Sequence, residues 1–581
     1  MNRANSDSNR TRWFAPLLVI FIGALAYSNS FTGPFIFDDI ASIQRNPQIR
    51  SLIPYKLPSD GQTTIAGRPV VAFSFAINYA ISRLHVEPYH VTNLLIHLLA
   101  ASLLYAIVRR TLLRIDRFAR SATWLSAIVA AIWVAHPLDT QSVTYIVQRA
   151  ESLAALFYLA VIYALIRDAE KPRLWWKITA VSACALGMAT KESMATAPLV
   201  ALLYDRTFIA GSFAGAIKKR LSLYIGLAST WGILAVVVFS GPRSATVGFN
   251  HGISSMDYAR TQLGAISHYV VLAVWPRNLS LDYYDWPIAR HWSQVGSGGW
   301  IVALCVLFFV AAIWLKPWLG FLGAWFFLIL APSSSVVPIF TEAAAEQRMY
   351  LPLAAVVVFV IVGAWSLISR WKWARLSAAA AGCAIALCLA RLTILRNDQY
   401  STAIGIWQDA VAKRPNNTRA HANLGDVWAQ RSIDFPRGSP VAVAAAAHAA
   451  EQFQIVLALE PRLTDPIFAL GQSFDQMGNP QAAEDLYTRS LPKHPEIAAD
   501  LYVERGNLRA RRGDENAAES DFRASIAANP KDAEPHYFLS LLFQQRNDLT
   551  NARAEMEKTV QLSPDYKDAA KRLTQLKNCS R

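Results

Sequence analysis

The sequence predicts an all-α protein in two parts, a polytopic membrane helix bundle followed by an α-solenoid of repeats. Hydrophobic residues make up 53% of the 581 residues and charged residues only 17%, which is typical of a chain with many membrane spans. In the last third, prolines recur every 34 or 35 residues from Pro461 to Pro564, which indicates a helical repeat. The character of the chain changes near residue 395. We therefore predict a membrane domain at 1–395 and a repeat domain at 396–581.

Apolar stretches of spanning length recur through the first part. A further stretch, 257–276, could either span the membrane or lie flat on its surface as an amphipathic helix. If it does not span, the basic clusters, from 109–120 to 370–375, all fall on one side, as the positive-inside rule requires. This model places the N-terminus in the cytoplasm, as a retained first helix, and the repeat domain on the extracytoplasmic side, periplasmic or lumenal. The eleven predicted spans lie near 13–31, 89–108, 121–137, 150–166, 174–190, 194–210, 221–240, 299–315, 318–332, 350–368 and 374–395.

The repeat has a pattern of residue sizes as well as a period. Small residues recur 24 positions before each of the last three prolines, and large apolar residues recur 8 before. A 34-residue period with small residues where paired helices cross is the signature of the tetratricopeptide repeat (TPR). TPR stacks form a concave groove, which we expect to bind an extended peptide. The unit between Pro415 and Pro461 is longer, with an insertion around 434–446. The residues of the size pattern are Gly471, Gly506 and Ser540, and Tyr487, Phe522 and Met556.

Composition also narrows the classes of partner. The formal net charge of +15 would suggest nucleic acid for a soluble protein, but the basic clusters flank apolar spans and are interpreted as topology determinants. The five scattered cysteines predict neither disulfides nor a zinc site. No metal-ligand spacing, nucleophile motif or phosphate-binding glycine loop occurs, so no metal site is predicted, and a divalent metal requirement stays open. His90 and His97 share a helix face, which favours a helix contact over a ligand pair.

An acidic pair, Asp38 and Asp39, directly follows the first span. Adjacent carboxylates are costly to keep near lipid, and such groups usually serve chemistry or ion binding. Other polar residues from separate loops are predicted on the same outer face. Each of them alone could be an interfacial anchor or a packing residue, so the hypothesis of a common site rests on the set. Its members are Arg68, His136, Arg149, Glu151, Lys191, Glu192, Asp282 and Arg348.

Acids and cations at a lipid boundary favour one kind of chemistry. A carboxylate can take the proton from an acceptor hydroxyl that attacks an activated carbon. Arginine or lysine can bind a phosphate leaving group and stabilise the charge that develops on it. A sugar linked to a lipid phosphate would present its phosphate at this surface. The residues therefore favour glycosyl transfer from a polyprenyl-phosphate donor.

Short motifs in a fixed order carry a resemblance over nearly the whole chain. With the TPR array that follows them, the motifs make the sequence similar to the transmembrane and TPR repeat-containing protein O-mannosyltransferases of the GT-C superfamily, and to their bacterial relatives. The motifs are Phe37-Asp38-Asp39, Gly67-Arg68-Pro69, Tyr89 to His97, His136-Pro137, Gln148-Arg149-Ala150-Glu151, Lys191-Glu192, Trp275-Pro276 with Leu279 to Asp282, and Glu346 to Pro352.

The resemblance implies a GT-C-like bundle and a set of roles. One acid of the pair would be the general base, and Asp39 is favoured over Asp38. The donor would be a dolichyl- or undecaprenyl-phosphate sugar, with mannose as the family's sugar and inversion at the anomeric carbon. The acceptor would be a protein. By matching motif positions, the donor phosphate would be bound by Arg149, Lys191, Arg348 and Arg68, and the site would be lined by His136, Glu151, Glu192 and Asp282.

Three functions stay open from the sequence. The first is an integral-membrane glycosyltransferase that moves a sugar onto a protein, with the TPR array binding the acceptor. The second is a membrane-anchored TPR scaffold without catalysis that gathers envelope or secretory partners. The third is a ligase or polymerase of surface glycans, which would also use polyprenyl carriers.

Overall fold

The protein is all-α, as the sequence predicts. The structure, a computed structural model, describes residues 9–52, 63–240, 252–335, 337–339, 341–371 and 373–579. These residues form helices and connecting turns and contain no β-strand. The chain divides into two compact units, Met1–Pro415 and Asn416–Arg581.

The first unit contains sixteen α-helices within its described residues, and short 3-10 and π helices connect several of them. The helices are α1 Asn9–Ala26, α2 Pro69–Ser82, α3 Glu87–Leu113, α4 Asp116–Ala119, α5 Ala122–Val134, α6 Thr140–Val143, α7 Arg149–Glu170, α8 Leu174–Met188, α9 Ala197–Asp205, α10 Phe213–Ser240, α11 Ser255–Val274, α12 Gly296–Leu315, α13 Pro317–Leu330, α14 Leu353–Ile368, α15 Ala374–Gln399 and α16 Ala403–Lys413.

The apolar helices indicate a membrane protein. A helix lies at each of the eleven predicted spans. Among the described residues, six helices are long and apolar enough to cross a membrane, or seven if α5 and the bent segment after it count as one span. One of the six, Pro440–Leu459, belongs to the second unit, and five further apolar helices are shorter. The ambiguous stretch forms α11, which is not among the six. The number of eleven crossings therefore stays a prediction.

Buried histidines join helices of the first unit through hydrogen bonds. His97 bonds through Nδ1 to the Tyr350 hydroxyl at 2.7 Å and through Nε2 to the Val134 carbonyl at 3.0 Å. His90 bonds through Nε2 to the Gly33 carbonyl at 2.9 Å. Buried polar groups of this kind need a partner, because an unpaired one is costly away from water. His97 thus links α3 to α5, as the sequence predicts, whereas His90 links α3 to the loop after α1.

Helix α16 belongs to the first unit, so the division lies after Pro415 and not at residue 395, which falls inside α15. The rings of Phe37 and Trp407 meet edge to face at 5.3 Å between centroids. Lys413 Nζ donates to the Leu279 carbonyl at 2.7 Å. These contacts attach α16 to the loop after α1 and to the loop after α11. Trp407 stands 8 positions before Pro415, where the repeat pattern has a large apolar residue, but the packing of α16 places it with the membrane helices.

The second unit stacks helix pairs as a TPR array. Its paired crossings explain the small residues of the repeat, since a Cβ added at Gly471 would lie 2.1 Å from Tyr487 Oη. A Cβ at Gly506 would lie 2.7 Å from Phe522 Cε1. Each aromatic side chain thus packs directly on the backbone of its partner helix. The helices are α17 Thr418–Ile433, α18 Pro440–Leu459, α19 Asp465–Gln476, α20 Pro480–Ser490, α21 Ala498–Arg511, α22 Glu515–Ala528, α23 Glu534–Gln545, α24 Leu549–Leu562 and α25 Ala569–Cys579.

The long repeat unit has longer helices. Helix α17 has 16 residues and α18 has 20, whereas the helices of the next three pairs have 11 to 14. The predicted insertion at 434–446 therefore covers a short connection and the first turns of α18. Ser439 caps α18 by accepting from Ala442 N at 3.3 Å, in the way that Asn479 and Asp514 cap the equivalent helices α20 and α22.

Candidate active site

The acidic pair lies in the loop after α1, where the short π helix Ile40–Gln44 begins with Asp39 as its N-cap residue. Asp39 is only 1% exposed, and its two carboxylate oxygens accept from Ile36 N at 3.1 Å and Val147 N at 2.7 Å. Burial raises the pKa of the Asp39 carboxyl well above its usual value, while the two backbone hydrogen bonds oppose this shift. Phe37, just before the pair, has φ of +47°, a left-handed conformation that is uncommon outside glycine. The Asp39 carboxylate is therefore enclosed, and it joins two loops.

Asp38 occupies a more open position than its neighbour. Its side chain is half-buried, and its backbone N–H donates to the Tyr145 hydroxyl at 2.9 Å. Burial raises the pKa of Tyr145 well above its usual value, and the charges of Asp38 and Asp39 raise it further. Both acids thus pack against the same segment around Tyr145. Of the two residues, Asp38 is the more exposed.

Arg149 is buried in the interior of the first unit. It is 0% exposed, and its guanidinium donates to Asn93 Oδ1 at 2.6 Å, to the Tyr89 carbonyl at 3.1 Å, and to the carbonyl and hydroxyl of Ser74 at 3.3 and 3.2 Å. The guanidinium also lies 4.4 Å from the ring centroid of Phe75. All three of its nitrogens donate to protein acceptors. This geometry gives no support to the predicted role of Arg149 as a phosphate ligand.

The contacts of Arg149 continue to the acidic pair. Asn93, which accepts from Arg149, donates through Nδ2 to the carbonyls of Val143 at 3.0 Å and Ile146 at 3.2 Å. The residue after Ile146 is Val147, whose N–H binds Asp39. Arg149 therefore supports the segment that fixes the acidic loop.

A small cavity brings three of the predicted residues together. Lys191, Glu151 and Arg348 all line it, together with Tyr158 and Ser193. Lys191 Nζ forms an ion pair with Glu151, and these two side chains are 13% and 10% exposed. Two cations and one carboxylate leave one surplus positive charge here. That balance suits a singly charged phosphodiester.

Arg348 is held less tightly than Arg149. Its Nη1 donates to Tyr258 Oη at 3.3 Å and to the Ala343 carbonyl at 3.4 Å, both long for such bonds, and Nη2 donates to the Glu342 carbonyl. Burial lowers the pKa of Arg348, but Tyr258, Tyr269 and Glu342 more than offset burial and raise it overall, so the side chain stays charged. A cation with long hydrogen bonds beside a cavity can turn toward an anionic ligand.

Arg68 and Glu192 form a more exposed ion pair, 3.6 Å from Nη2 to Oε2. The two residues come from different segments, which are joined where Val70 N donates to the Ala189 carbonyl at 3.2 Å. Glu192 directly follows Lys191, so this pair lies beside the cavity that Lys191 and Arg348 line, which we call the cation-lined cavity. Arg68 does not line that cavity.

His136 and Asp282, which we predicted as site-lining, lie elsewhere. His136 Nδ1 accepts from Leu138 N at 3.2 Å, and Nε2 bonds to the Ala273 carbonyl at 3.2 Å, so the ring caps a turn and joins it to α11. Asp282 is buried, and its backbone carbonyl accepts from Ser280 Oγ at 2.9 Å. Neither residue lines the cation-lined cavity. Within the described ranges, no group of three or more His, Cys, Asp or Glu side chains could hold a metal ion.

A buried carboxyl that was not predicted as part of the site belongs to Glu346, two positions before Arg348 in the sequence. Glu346 accepts through Oε1 from Ser280 N at 2.6 Å and from the Tyr283 hydroxyl at 2.5 Å. Burial raises the pKa of the Glu346 carboxyl to about 7, and Arg396 opposes that shift. Arg396 in turn forms an ion pair with Asp409 of α16. The predicted domain boundary at residue 395 places Arg396 and Asp409 in the repeat domain. It therefore separates them from Glu346, which belongs to the motif from Glu346 to Pro352.

Comparisons with known proteins agree with both parts of the chain. The tetratricopeptide repeat family model matches residues 503–567. Protein O-mannosyl-transferase Tmtc2 of Drosophila melanogaster is 25% identical over 49% of this chain and 31% of its own. Protein O-mannosyl-transferase TMTC4 of Mus musculus is 24% identical over 71% of this chain and 64% of its own. The chain thus spans between about a third and two thirds of the length of these relatives, and the predicted resemblance is confirmed.

A solved structure is similar over much of the chain. The crystal structure of ArnT from Cupriavidus metallidurans bound to undecaprenyl phosphate aligns with a TM-score of 0.36 and 12% identity, over 82% of this chain and 80% of that one.

Proposed function

We propose that this relative of the protein O-mannosyl-transferases is an integral-membrane glycosyltransferase that moves a sugar from a polyprenyl phosphate to a protein. The observation that carries the proposal is the acidic loop, in which Asp39 is fixed by two backbone N–H groups beside the more open Asp38. The same unit contains a cavity lined by Lys191 and Arg348. A base and a phosphate-binding pair are the two groups that the reaction needs.

In the proposed reaction Asp38 is the general base. As the acceptor hydroxyl oxygen attacks the anomeric carbon, its proton passes to the Asp38 carboxylate. The bond between that carbon and the phosphate oxygen breaks, and the polyprenyl phosphate leaves with an added negative charge. Arg348 and Lys191 stabilise this charge, which is where such cations lower a barrier most. Attack from the face opposite to the leaving group inverts the anomeric centre.

Asp39 and Arg149 are proposed as positioning residues. The resemblance favoured Asp39 as the base, but both of its oxygens already accept backbone hydrogen bonds, and it is almost fully buried. A general base must come within hydrogen-bond reach of the proton that it abstracts. We propose Asp38 for this role because it is the more exposed of the two acids. Arg149 supports the segment that carries Val147, and Arg68 stays a second candidate for the donor phosphate.

The TPR unit is proposed to bind the protein acceptor. Stacked TPR helices form a concave surface that commonly receives an extended peptide. The charge pattern predicts that this unit lies outside the cytoplasm, on the same side as the acidic loop. A reporter fused at the C-terminus is expected to be active only outside the cytoplasm. Cytoplasmic activity would overturn the proposed topology.

A transfer assay tests the proposal. Membranes that contain the protein receive a radiolabelled polyprenyl-phosphate mannose, and label in protein is measured. We expect Asp38→Asn to lower transfer by about 10²–10⁴-fold, the usual contribution of a general base. The matched control is Asp116→Asn, an exposed acid in the helix after α3 that touches none of the site. Full activity of Asp38→Asn would exclude it as the base.

The same assay separates the other two functions. A scaffold would transfer no label in any variant, with mannose or with other sugars on the carrier. A glycan ligase or polymerase would put label into lipid or glycan and leave protein unlabelled. Label in protein that depends on Asp38 supports the proposed function over both.

A further inference from the structure

A second cavity, of about 310 Å³, lies between α3, α9, α13 and α14. It shares no lining residue with the cation-lined cavity. Its walls are almost entirely apolar and include Leu104, Val108, Phe321 and Val358. The volume is roughly twice the 150 Å³ of an apolar protein cavity that binds benzene. The space is therefore large enough for an apolar ligand.

The cavity is long and follows α14. Its lining residues on that helix run from Ala354 to Ser366. At 1.5 Å per residue this distance is about 18 Å, close to the roughly 15 Å depth of one leaflet of a bilayer's hydrocarbon core. An apolar slot of this length between membrane helices matches a lipid acyl chain.

One end of the cavity is basic. Arg117 lines it and donates through Nη2 to the Ser366 carbonyl at 2.6 Å. Arg114 and Arg120, close in sequence, are exposed. Trp318 is a lining residue of the cavity and is 50% exposed. Basic residues and exposed tryptophans together are typical of the level of the lipid headgroups. A phosphate group can therefore meet the guanidinium of Arg117 where the cavity ends.

We propose that this cavity binds an anionic phospholipid, with an acyl chain along α14 and the phosphate at Arg117. Basic pockets between membrane helices bind acidic lipid headgroups. A polyprenyl phosphate is the less suitable ligand, because the cations proposed to hold its phosphate line the other cavity, which Pro352 also lines. Pro352 and Ser366 stand at opposite ends of α14, about 20 Å apart. The choice of a phospholipid over a polyprenyl phosphate rests on the proposed function, whereas the apolar cavity and its basic end do not.

Gly363 offers a variant that fills the cavity. It lines the cavity, and a Cβ added there would meet no atom within 4 Å. Gly363→Leu should therefore occupy the space of the chain without a clash, and Gly363→Ala should occupy less of it. Gly232 in α10 is a matched control, because an added Cβ there also meets nothing within 4 Å and the residue does not line the cavity.

Native mass spectrometry of the purified full-length protein tests the proposal. The protein is incubated with equal amounts of phosphatidylglycerol and phosphatidylcholine in detergent. We expect one bound phosphatidylglycerol on the unsubstituted protein and on Gly232→Leu, partial loss on Gly363→Ala and near-complete loss on Gly363→Leu. Arg117→Gln should lower the preference for phosphatidylglycerol by about fivefold, since one basic residue near an acidic lipid contributes about that factor.

Three results would overturn the proposal. The first is equal binding of the two lipids by the unsubstituted protein. The second is unchanged lipid binding on both Gly363 variants, each shown to be folded by circular dichroism and size-exclusion chromatography. The third is displacement of phosphatidylglycerol by a short polyprenyl phosphate in the unsubstituted protein but not in Arg117→Gln. If Gly363→Leu does not fold, Gly363→Ala and Arg117→Gln still decide between these outcomes.

Discussion

The substitution Arg149→Lys separates two roles that the sequence could not distinguish. Lysine keeps the positive charge, and as a point charge it serves well as a phosphate ligand. It cannot replace the planar fork of donors, because one ammonium group must replace three guanidinium nitrogens. A phosphate-binding role therefore predicts a mild effect on the protein. A structural role predicts a loss of stability.

The magnitude follows from the acceptors that lysine cannot reach. The guanidinium donates to Asn93 Oδ1, to the Tyr89 carbonyl and to both oxygens of Ser74, which lie around the fork in different directions. An ammonium group at one point can satisfy one or two of these residues, so at least one buried acceptor loses its partner. A hydrogen bond to a charged group contributes about 1.5–3 kcal/mol. We therefore expect the free energy of unfolding to fall by about 2–5 kcal/mol.

The assay is thermal unfolding of the purified protein in detergent, together with the donor concentration dependence of transfer. Because the entropy of unfolding is about 2.1 cal/mol/K per residue, a loss of this size in the unit Met1–Pro415 should lower the unfolding temperature by roughly 2–6 °C. Arg348→Lys is the matched control, since the hydrogen bonds of its Nη1 group are long and it lines the cation-lined cavity. It should raise the donor KM with little loss of stability. An unchanged unfolding temperature for Arg149→Lys, with a raised donor KM, would refute the structural role.

Three further predictions concern charge, pH and packing. Glu346→Gln should make stability less dependent on pH, because burial raises the pKa of the Glu346 carboxyl to about 7. The protonated carboxyl contributes stability that is fully present below the ordinary pKa of 4.5 and is lost as the pH rises to about 7. Thermal unfolding between pH 4 and 8 measures this, and an equal slope in both proteins would contradict it. Lys191→Gln should lower stability, because it leaves Glu151 buried without its ion pair. The double variant Lys191→Gln, Glu151→Gln should regain stability but not transfer. Restored transfer would argue against a phosphate-binding role for Lys191. Gly471→Ala should destabilise the TPR unit by about 1–3 kcal/mol, because the added Cβ clashes with Tyr487. Faster hydrogen exchange in that unit would show the loss. Unchanged exchange would count against so close a crossing of the two helices.

The helices and the repeat could be predicted because their signals are local. Apolar runs predict helices, and the spacing of Gly471 and Tyr487 fixes where two helices of one repeat cross, since both residues lie within one 34-residue unit. The boundary between the two units was harder to predict, because it depends on contacts between residues that are far apart in the sequence. Trp407 fits a repeat position, yet its ring packs on Phe37, some 370 positions earlier in the chain. No local pattern contains that contact.

The sequence predicts which loops carry the charged residues of the candidate site, but it does not predict what each of these residues binds. Lys191, Glu151 and Arg348 line one cavity. Arg149 lies at the first turn of a helix. Its acceptors are the backbone of Tyr89 and the side chains of Asn93 and Ser74 on other helices. Whether a charged residue at a helix end faces a ligand or the interior depends on such partners, which sequence alone does not reveal.

In the proposed function, the two adjacent carboxylates of the acidic pair divide one task. Neighbouring residues at the start of a helix point in different directions, so Asp39 can be buried while Asp38 is more exposed. Asp39 accepts two backbone N–H groups from separate loops, and this fixes the loop at the residue next to Asp38. A base that is held on a rigid backbone needs less reorganisation when the substrate arrives. The buried acid therefore supports the more open one, and loss of either would lower transfer for a different reason: Asp38→Asn through the proton, and Asp39→Asn through the position of the loop.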